Sequence, residues 1–169
     1  MEVIFETERL KGVLLEERFL PDVKKFWGNE EVMKHCNGAS SEDLLPKTIQ
    51  AYRRCHLENG LSVYALFEKN LEEVIGAAGF NLSGNIQEVE LIYHFNQQAW
   101  GKGYATEAAT ACIELASKHG DVNLIFASAS PDNIQSLKIL EKIGFENKGL
   151  KWFEDTEQEE PYYEIKLKK

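Results

Sequence analysis

The chain has 169 residues, of which 43% are hydrophobic, and this length and composition fit one globular domain spanning residues 1–169. No apolar run approaches the roughly 20 residues of a membrane helix, and the N-terminus is acidic, unlike a signal peptide, so we expect a cytoplasmic protein without membrane association. The net charge of -9 argues against nucleic acid as the main partner and suits a cationic substrate.

The first third of the chain is predicted to be mostly helical after one initial strand. The apolar pattern of residues 10–15 fits that strand. Pro21 opens a short helix, and a second short helix is expected near residues 30–35. A longer helix is predicted to start at Ser41 and to stop at Gly60, a residue type common at helix C-termini.

The middle of the chain changes from a helical to a strand pattern and contains three strand candidates. They cover residues 61–67, 74–80 and 86–95 and are separated by short polar turns. Because short turns join antiparallel neighbours, we expect an antiparallel meander.

The last third of the chain alternates helices with strands. Gly144 ends the second of its helices, and an acidic turn over residues 154–160 joins the last two strands. The elements expected in chain order are a helix over 104–115, a strand over 122–129, a helix over 134–143 and strands over 145–153 and 161–167. The whole chain is therefore predicted to be α/β, with about seven strands.

The nine residues from Trp100 to Ala108, WGKGYATEA, lie where the last strand of the meander ends and a helix pattern begins. Gly101 and Gly103 allow the backbone to approach a ligand closely. The free amides of a helix's first turn can point at a phosphate, and the helix dipole favours negative charge there. This junction therefore predicts a phosphate cradle, with a glycine turn that binds no ligand as the alternative.

Other phosphate motifs and metal sites fit the sequence less well. A P-loop requires Ser or Thr after its lysine, whereas Lys102 is followed by Gly103. A dinucleotide fingerprint requires a third glycine where Thr106 stands. The three cysteines are widely spaced and lack paired metal-ligand spacing, so we expect neither a disulfide framework nor a metal site.

The order of elements and the glycine-rich junction together resemble the GNAT superfamily of N-acetyltransferases, and within it the RimJ- and RimL-like branch of ribosomal-protein N-acetyltransferases. The resemblance covers nearly the whole chain. Besides the junction, the residues that carry it are Thr7, Glu8, Arg9, Leu10, Glu90, Tyr93, Asn133, Ser136, Glu141, Lys142, Gly144 and Phe145. It implies a GNAT fold, in which a mixed, mostly antiparallel central sheet has flanking helices and its fourth and fifth strands splay apart.

The resemblance implies that acetyl-CoA binds at the junction as co-substrate, without a metal. Backbone amides from Gly101 through Thr106 would hold its pyrophosphate, and Trp100 occupies a position where the family usually has Arg or Gln. Lys102 would be either an added cation or a solvated loop lysine. The implied cofactor-binding residues of the junction are Trp100, Gly101, Lys102, Gly103, Tyr104, Ala105 and Thr106.

The pantetheine arm of acetyl-CoA would lie in the gap between the fourth and fifth strands and pair with the backbone of the fourth. By position, Tyr93, His94 and Phe95 would line this arm. Asn133 would reach the cofactor from the far side, or would cap the helix that follows it, and both roles can coexist.

Acetyl transfer to an amine needs a neutral nucleophile, a polarised carbonyl and a proton for the leaving thiolate. Glu90 is the candidate catalytic base, as in related enzymes, with an exposed salt-bridging glutamate as the alternative; a bulge would let Glu88 take its role. Many superfamily members donate the proton from a tyrosine whose place here is taken by Leu140. That leaves Ser136 or a water as the catalytic donor, unless Ser136 is only a helix-packing residue.

In similar proteins, the early helices and the loop between the last two strands form the acceptor cleft. Here these regions offer Trp27, His35, Trp152 and Tyr162 as substrate-binding candidates, with core packing as the alternative. The acidic turn would steer a cation towards the cleft or would simply be solvated.

We therefore expect an enzyme that transfers an acetyl group from acetyl-CoA to a primary amine, with a protein N-terminal α-amino group as one acceptor. A small amine of the polyamine or aminoglycoside type is the alternative acceptor. A CoA-binding sensor without turnover is an alternative of another class, motivated by the missing tyrosine. The expected partners are the amine and, as an option, a second copy of the chain in a homodimer.

Overall fold

The computed structural model describes residues 1–167 and contains one eight-stranded mixed sheet with five flanking α-helices. The strands are β1 (Val3–Glu6), β2 (Leu10–Val13), β3 (Val63–Glu68), β4 (Val74–Asn81), β5 (Glu88–Phe95), β6 (Leu124–Ser128), β7 (Glu146–Phe153) and β8 (Gln158–Lys166). The α-helices are α1 (Leu20–Val23), α2 (Glu30–Met33), α3 (Leu45–Asn59), α4 (Tyr104–Lys118) and α5 (Ile134–Lys142). Within the sheet the strands follow the order β1-β2-β3-β4-β5-β6-β8-β7.

The strand that the sequence did not predict is β1, which pairs antiparallel with β2. Its four residues show no alternation between buried and exposed positions, because the two central ones are half-buried and the outer two are exposed. The ring of Phe5 fills the space that a Cβ at Gly12 would occupy. A glycine in β2 therefore lets this short edge hairpin close.

The sheet splays between β5 and β6, which are the fourth and fifth of the strands predicted from the sequence. These two strands are parallel and pair only over Glu88–Glu90 and Leu124–Phe126. Beyond this short ladder β5 continues to Phe95, paired with β4 on one side and with no strand of residues 1–167 on the other. The expected mostly antiparallel, splayed sheet is thus confirmed.

Helices cover both faces of the sheet and produce two hydrophobic cores. Helices α4 and α5 pack on one face, around Ala108, Cys112 and Leu140. Helices α1, α2 and α3 pack on the other face, around Phe26 and Ile49. Burying an aromatic or aliphatic side chain of this size contributes about 1.5–3 kcal/mol. None of the helices described in residues 1–167 has the length and apolar character needed to cross a membrane.

Two predicted boundaries were wrong. Helix α3 begins at Leu45 instead of Ser41, because Pro46 has no amide hydrogen and fits only the first turn of a helix. The predicted acidic turn over residues 154–160 is shorter, since β8 already begins at Gln158. Glu160 belongs to that strand and is buried, so the acidic residues do not form one solvated loop.

Candidate active site

The junction between β5 and α4 contains two glycines in the left-handed region of backbone conformation. Gly101 has φ +79° and Gly103 has φ +80°. Gly103 is also the N-cap residue of α4, so the chain turns into the helix at this point. Residues with a Cβ rarely adopt such φ values, which explains why glycine stands on both sides of Lys102.

The backbone amides from Gly101 through Thr106 donate to no acceptor within residues 1–167. The first helical bond at this end runs from the amide of Glu107 to the carbonyl of Gly103, at 3.2 Å. A helix leaves its first amides unpaired, and the 15 residues of α4 add the positive end of a helix dipole. This end of α4 can therefore hold an anion.

Side chains of the junction anchor it to the rest of the fold. The indole Nε1 of Trp100 donates to the carbonyl of Phe95 at 3.0 Å, although about half of the residue is exposed. Tyr104 is buried in the core beside α4. The ammonium of Lys102 lies 6.0 Å from the centre of the Tyr104 ring. Trp100 and Tyr104 are thus held by the fold, and the groups of the junction available to an anion are its backbone amides and the exposed ammonium of Lys102.

Glu90 lies at the end of a hydrogen-bonded chain of side chains. The hydroxyl of Tyr52 donates to Oδ1 of Asn81 at 2.9 Å, and Nδ2 of Asn81 donates to Oε1 of Glu90 at 3.4 Å. Burial raises the pKa of Glu90, while the hydrogen bond from Asn81 lowers it. Burial also raises the pKa of Tyr52 to about 12. Sequence reasoning missed both Tyr52 and Asn81. The one signal in the sequence is that Asn81 is a polar residue at the end of the otherwise apolar strand β4.

Glu88, the alternative base, shares a face of β5 with Glu90 but is exposed. The pairing of β5 with β4 runs from Glu90 to Phe95 without a shift, and the pairing with β6 continues through Glu88. Because this part of β5 contains no bulge, nothing moves Glu88 into the place of Glu90. The geometry therefore favours Glu90 as the candidate base.

The hairpin formed by β7 and β8 brings further charges to Glu90. After burial and the Asn81 contact, the carboxylates of Asp155 and Glu160 raise the pKa of Glu90, and Lys151 lowers it. Glu160 is 5% exposed, and its Oε2 accepts two hydrogen bonds of 2.9 Å, from the side chains of Thr156 in the turn and Gln158 at the start of β8. The surface beside Glu90 is therefore richer in negative than in positive charge.

The side chain of His94 points away from those of Tyr93 and Phe95, because successive strand residues face opposite sides of a sheet. Trp27 Nε1 donates to His94 Nδ1 at 3.1 Å, so the neutral imidazole carries its proton on Nε2, 3.5 Å from Sγ of Cys36. Burial lowers the pKa of His94 to about 4. The structure thus uses the His94 side chain to join β5 to the segment around α2, and it places Trp27 in the core.

Tyr93 and Ser136 connect β5 to α5 across the splay. Their hydroxyl oxygens lie 3.0 Å apart. Asn133 caps α5, since its Oδ1 accepts a 3.3 Å hydrogen bond from the amide of Ser136. Its Nδ2 makes no hydrogen bond within residues 1–167 and can donate to a ligand. Leu140, which replaces the family tyrosine, is buried and offers no proton donor.

The acceptor candidates do not share one surface. Tyr162 lies on the same sheet face as Glu90, as the registers of β5, β6 and β8 require, and its ring centre is 4.7 Å from Lys151 Nζ. Trp152 lies on the opposite face of the hairpin, where it is exposed. His35 is half-buried just after α2. Tyr162 is therefore the aromatic candidate that the fold brings towards Glu90.

Comparison with protein families identifies the fold. Residues 13–146 match the family model described as the acetyltransferase (GNAT) domain. The chain belongs to the GNAT family. A relative from Bacillus licheniformis, the uncharacterized N-acetyltransferase p20, is 30% identical over 153 residues, covering 89% of this chain and 85% of that protein. A ribosomal protein uS5-alanine N-acetyltransferase from Escherichia coli is 31% identical over 96 residues, covering 56% of this chain and 50% of that protein.

Solved structures show the same GNAT fold. A GNAT-family acetyltransferase from Bacillus anthracis superposes with a TM-score of 0.83 at 24% identity, and the match covers 98% of both chains. RimL, an acetyltransferase of a ribosomal protein, was solved in complex with coenzyme A and superposes with a TM-score of 0.80 at 17% identity, again over 98% of both chains. The predicted resemblance to the RimJ- and RimL-like branch is confirmed. Within residues 1–167, no group of three or more His, Cys, Asp or Glu side chains could hold a metal ion.

His94 should make the stability of this GNAT domain depend on pH. Its pKa is lowered to about 4 in the folded state, against an ordinary value of about 6.5, so between these values the unfolded chain binds a proton that the folded chain does not. The free energy of unfolding should therefore fall by up to about 3 kcal/mol as the pH drops from 6.5 to 4. Urea unfolding of the wild type and of His94→Asn at several pH values measures this as a pH-dependent difference.

The control is His35→Asn, which removes an imidazole that is also half-buried but lies outside the contacts with Trp27 and Cys36. A constant stability difference between His94→Asn and the wild type across this pH range would contradict the assignment.

Proposed function

We propose that this protein transfers the acetyl group of acetyl-CoA to a primary amine. The observation that carries the proposal is the row of unpartnered amides from Gly101 through Thr106, which follows directly on the open edge of β5. Membership of the GNAT family supports the same reaction.

Acetyl-CoA is proposed to bind along this backbone surface. The junction amides receive the pyrophosphate, and since the helix dipole contributes only about 0.3–1 kcal/mol, direct hydrogen bonds from the amides supply most of the binding. The pantetheine arm adds to the free edge of β5 at residues 91–95, as a further strand would. Tyr93 and Phe95 turn their backbone groups to that edge, whereas the backbone of His94 faces β4 and cannot pair with the arm. Nδ2 of Asn133 has no acceptor within residues 1–167 that would compete for it.

Glu90 is the proposed general base, which takes a proton from the acceptor directly or through water. An α-amino group, with an ordinary pKa of about 7.7–8.0, is roughly a tenth neutral at pH 7, whereas a lysine amine near 10.4 is neutral in only about one molecule in two thousand. Burial raises the pKa of Glu90 towards neutral pH, where a general base works best. Tyr52 and Asn81 orient the carboxylate.

The leaving thiolate is proposed to take its proton from Ser136 or from water. The hydroxyl of Tyr93 lies 3.0 Å from Oγ of Ser136, and burial raises the pKa of Tyr93, so this partner stays protonated at neutral pH. A backbone amide of β5 is proposed to polarise the thioester carbonyl. Because Glu90 and Tyr93 lie on opposite faces of β5, the base and the donor approach the thioester from two sides.

A protein N-terminal α-amino group is the proposed acceptor. The Escherichia coli relative is named for the alanine of ribosomal protein uS5, and RimL is named for a ribosomal protein. A small polyamine is the second candidate, favoured by the carboxylates of Asp155 and Glu160 near Glu90. Either cation suits the negative surface beside Glu90.

Acetyl-CoA consumption with a panel of peptides and polyamines tests the function and separates these acceptors. Peptides with a free N-terminus should turn over, and the same peptides with a blocked N-terminus should not. Asp155→Asn should raise the KM of a polyamine about threefold, the scale expected for the loss of one partly exposed charge pair. The KM of a peptide without charged side chains should rise less. Stabilisation by CoA without turnover of any amine would instead identify a CoA-binding sensor.

The Glu90→Gln substitution should lower kcat about a hundredfold to ten-thousandfold, because it removes the proposed base. The Kd of CoA, measured by calorimetry, should stay nearly unchanged. Glu88→Gln makes the same change two residues away on the same strand face, at an exposed position, and serves as the matched control. A Glu90→Gln variant with the wild-type pH–rate profile would remove Glu90 from the mechanism.

The Gly103→Glu substitution should abolish CoA binding. It places a carboxylate among the amides of the junction and forces a residue with a side chain to φ +80°. Gly84→Glu is the matched control, since Gly84 has φ +77° with open space around it, far along the chain from the junction. Calorimetric titration with CoA, after circular dichroism has shown both variants to be folded, measures the result. Normal CoA affinity of folded Gly103→Glu would refute the placement of the pyrophosphate.

A further inference from the structure

The turn between β1 and β2 is hydrogen-bonded to the first part of α4 through the carboxylate of Glu107. Glu107 Oε2 accepts from the hydroxyl of Thr7 and, at 2.9 Å, from the backbone amide of Arg9. Glu107 Oε1 accepts from Arg9 Nε at 2.7 Å. Three donors from a segment about a hundred residues distant in sequence thus meet on one side chain, which fixes the turn against the helix.

Arg9 also contacts Lys102 and Tyr104 and lies beside Gly103. Its Nη1 donates to the carbonyl of Lys102 at 2.8 Å. Its guanidinium lies 4.5 Å from the centre of the Tyr104 ring, and its Nη2 would lie 3.5 Å from a Cβ at Gly103. Arg9 therefore supports the loop whose amides are proposed to bind the pyrophosphate.

The contact with Arg9 offsets the negative charge of Glu107 at the start of α4. Glu107 stands at the fourth residue of α4, one turn from the unpaired amides, so its charge would repel a bound phosphate. Partial burial raises the pKa of Glu107, but hydrogen bonds from Thr7 and Arg9 outweigh it and lower the pKa overall. The carboxylate is therefore ionised at neutral pH, and Arg9 is its ion-pair partner.

Arg9 is also next to open space. It borders a surface groove of about 550 Å³ together with Gly103, Thr106 and Glu107. Lys142 lines the same groove, and so do two further acidic residues, Glu6 and Glu114. The ion pair thus lies on the solvent-facing side of the junction, where a phosphate can arrive.

We propose that Arg9 is a positioning residue for donor binding, which holds the Lys102 carbonyl and neutralises Glu107 so that the junction amides meet a phosphate without the opposing charge of this carboxylate. This inference rests on the proposed function. It concerns the pyrophosphate end of the donor alone and predicts no change in how the thioester end reacts.

Two donors separate this role from general support of the fold. Acetyl-CoA carries the pyrophosphate, whereas S-acetyl-pantetheine carries the same thioester arm without it. Arg9→Gln should lower kcat/KM for acetyl-CoA about tenfold relative to kcat/KM for S-acetyl-pantetheine, the usual scale for losing one charge-assisted contact. The loss should appear in KM, and kcat should change little. An equal loss with both donors would overturn the proposal.

Removing the opposing charge should rescue the variant. In Arg9→Gln/Glu107→Gln the carboxylate of Glu107 no longer opposes the phosphate, so kcat/KM for acetyl-CoA should recover to within about threefold of the wild type. Glu107→Gln alone should bind CoA at least as tightly as the wild type, because Arg9 then keeps an unbalanced positive charge. If these contacts only stabilise the fold, Glu107→Gln and the double variant should both bind CoA more weakly than the wild type. That result would refute the charge role, and it can be obtained even if Arg9→Gln alone does not fold.

Calorimetric titration of the wild type with CoA distinguishes the two proposals. Absence of CoA binding by the folded wild type would overturn the proposed function and this inference together. Binding by the wild type with the same Kd for Arg9→Gln would overturn only the role of Arg9.

Discussion

The splay between β5 and β6 is the constraint on which the rest of the site depends. The strands pair only as far as Glu90 and Phe126, so backbone groups of residues 91–95 on one side of β5 meet no partner strand among residues 1–167. Unpaired backbone groups cost free energy when they are buried, so they require water or a ligand. The amides at the start of α4 have the same requirement, and they follow directly along the chain. A ligand with an amide-bearing arm and a phosphate satisfies both sets at once, and CoA has this composition.

The register of β5 determines which functional side chains lie on each face of the sheet beside that gap. The unbroken pairing with β4 puts Asn81 opposite Glu90, which is why Asn81 can reach the carboxylate. Alternation then sends Tyr93 to the other face, towards Ser136. A slip of one residue would exchange the two faces and separate Glu90 from Asn81. The continuous β4–β5 ladder is therefore part of what would make this a catalytic site and not only a cofactor site.

Most of the features that sequence reasoning predicted are local, and most of those it missed depend on contacts between distant residues. Gly101 and Gly103 predict the junction because a positive φ favours glycine at both positions. Apolar periodicity predicts most of the strands and helices. Strand β1 escaped notice because its short half-buried pattern lacks alternation. Tyr52, Asn81 and Arg9 act through partners far along the chain, which no spacing reveals. His94 shows a different limit, since three consecutive strand residues cannot all turn their side chains towards one ligand.

Charge is distributed so that the two proposed substrates meet different surroundings. A protein with a net charge of -9 repels an anionic donor at long range, so the proposed donor site depends on the junction amides and on the local ion pair between Arg9 and Glu107. The carboxylates of Asp155 and Glu160 lie by Glu90 instead, at the far end of the unpaired strand edge from the junction. In the proposed complex the phosphates of the donor therefore stay at the positive end of α4, and only its uncharged acyl arm extends towards the acidic end. Net charge alone fits a cationic acceptor, but it argues against the anionic donor that we propose for the amides of the junction.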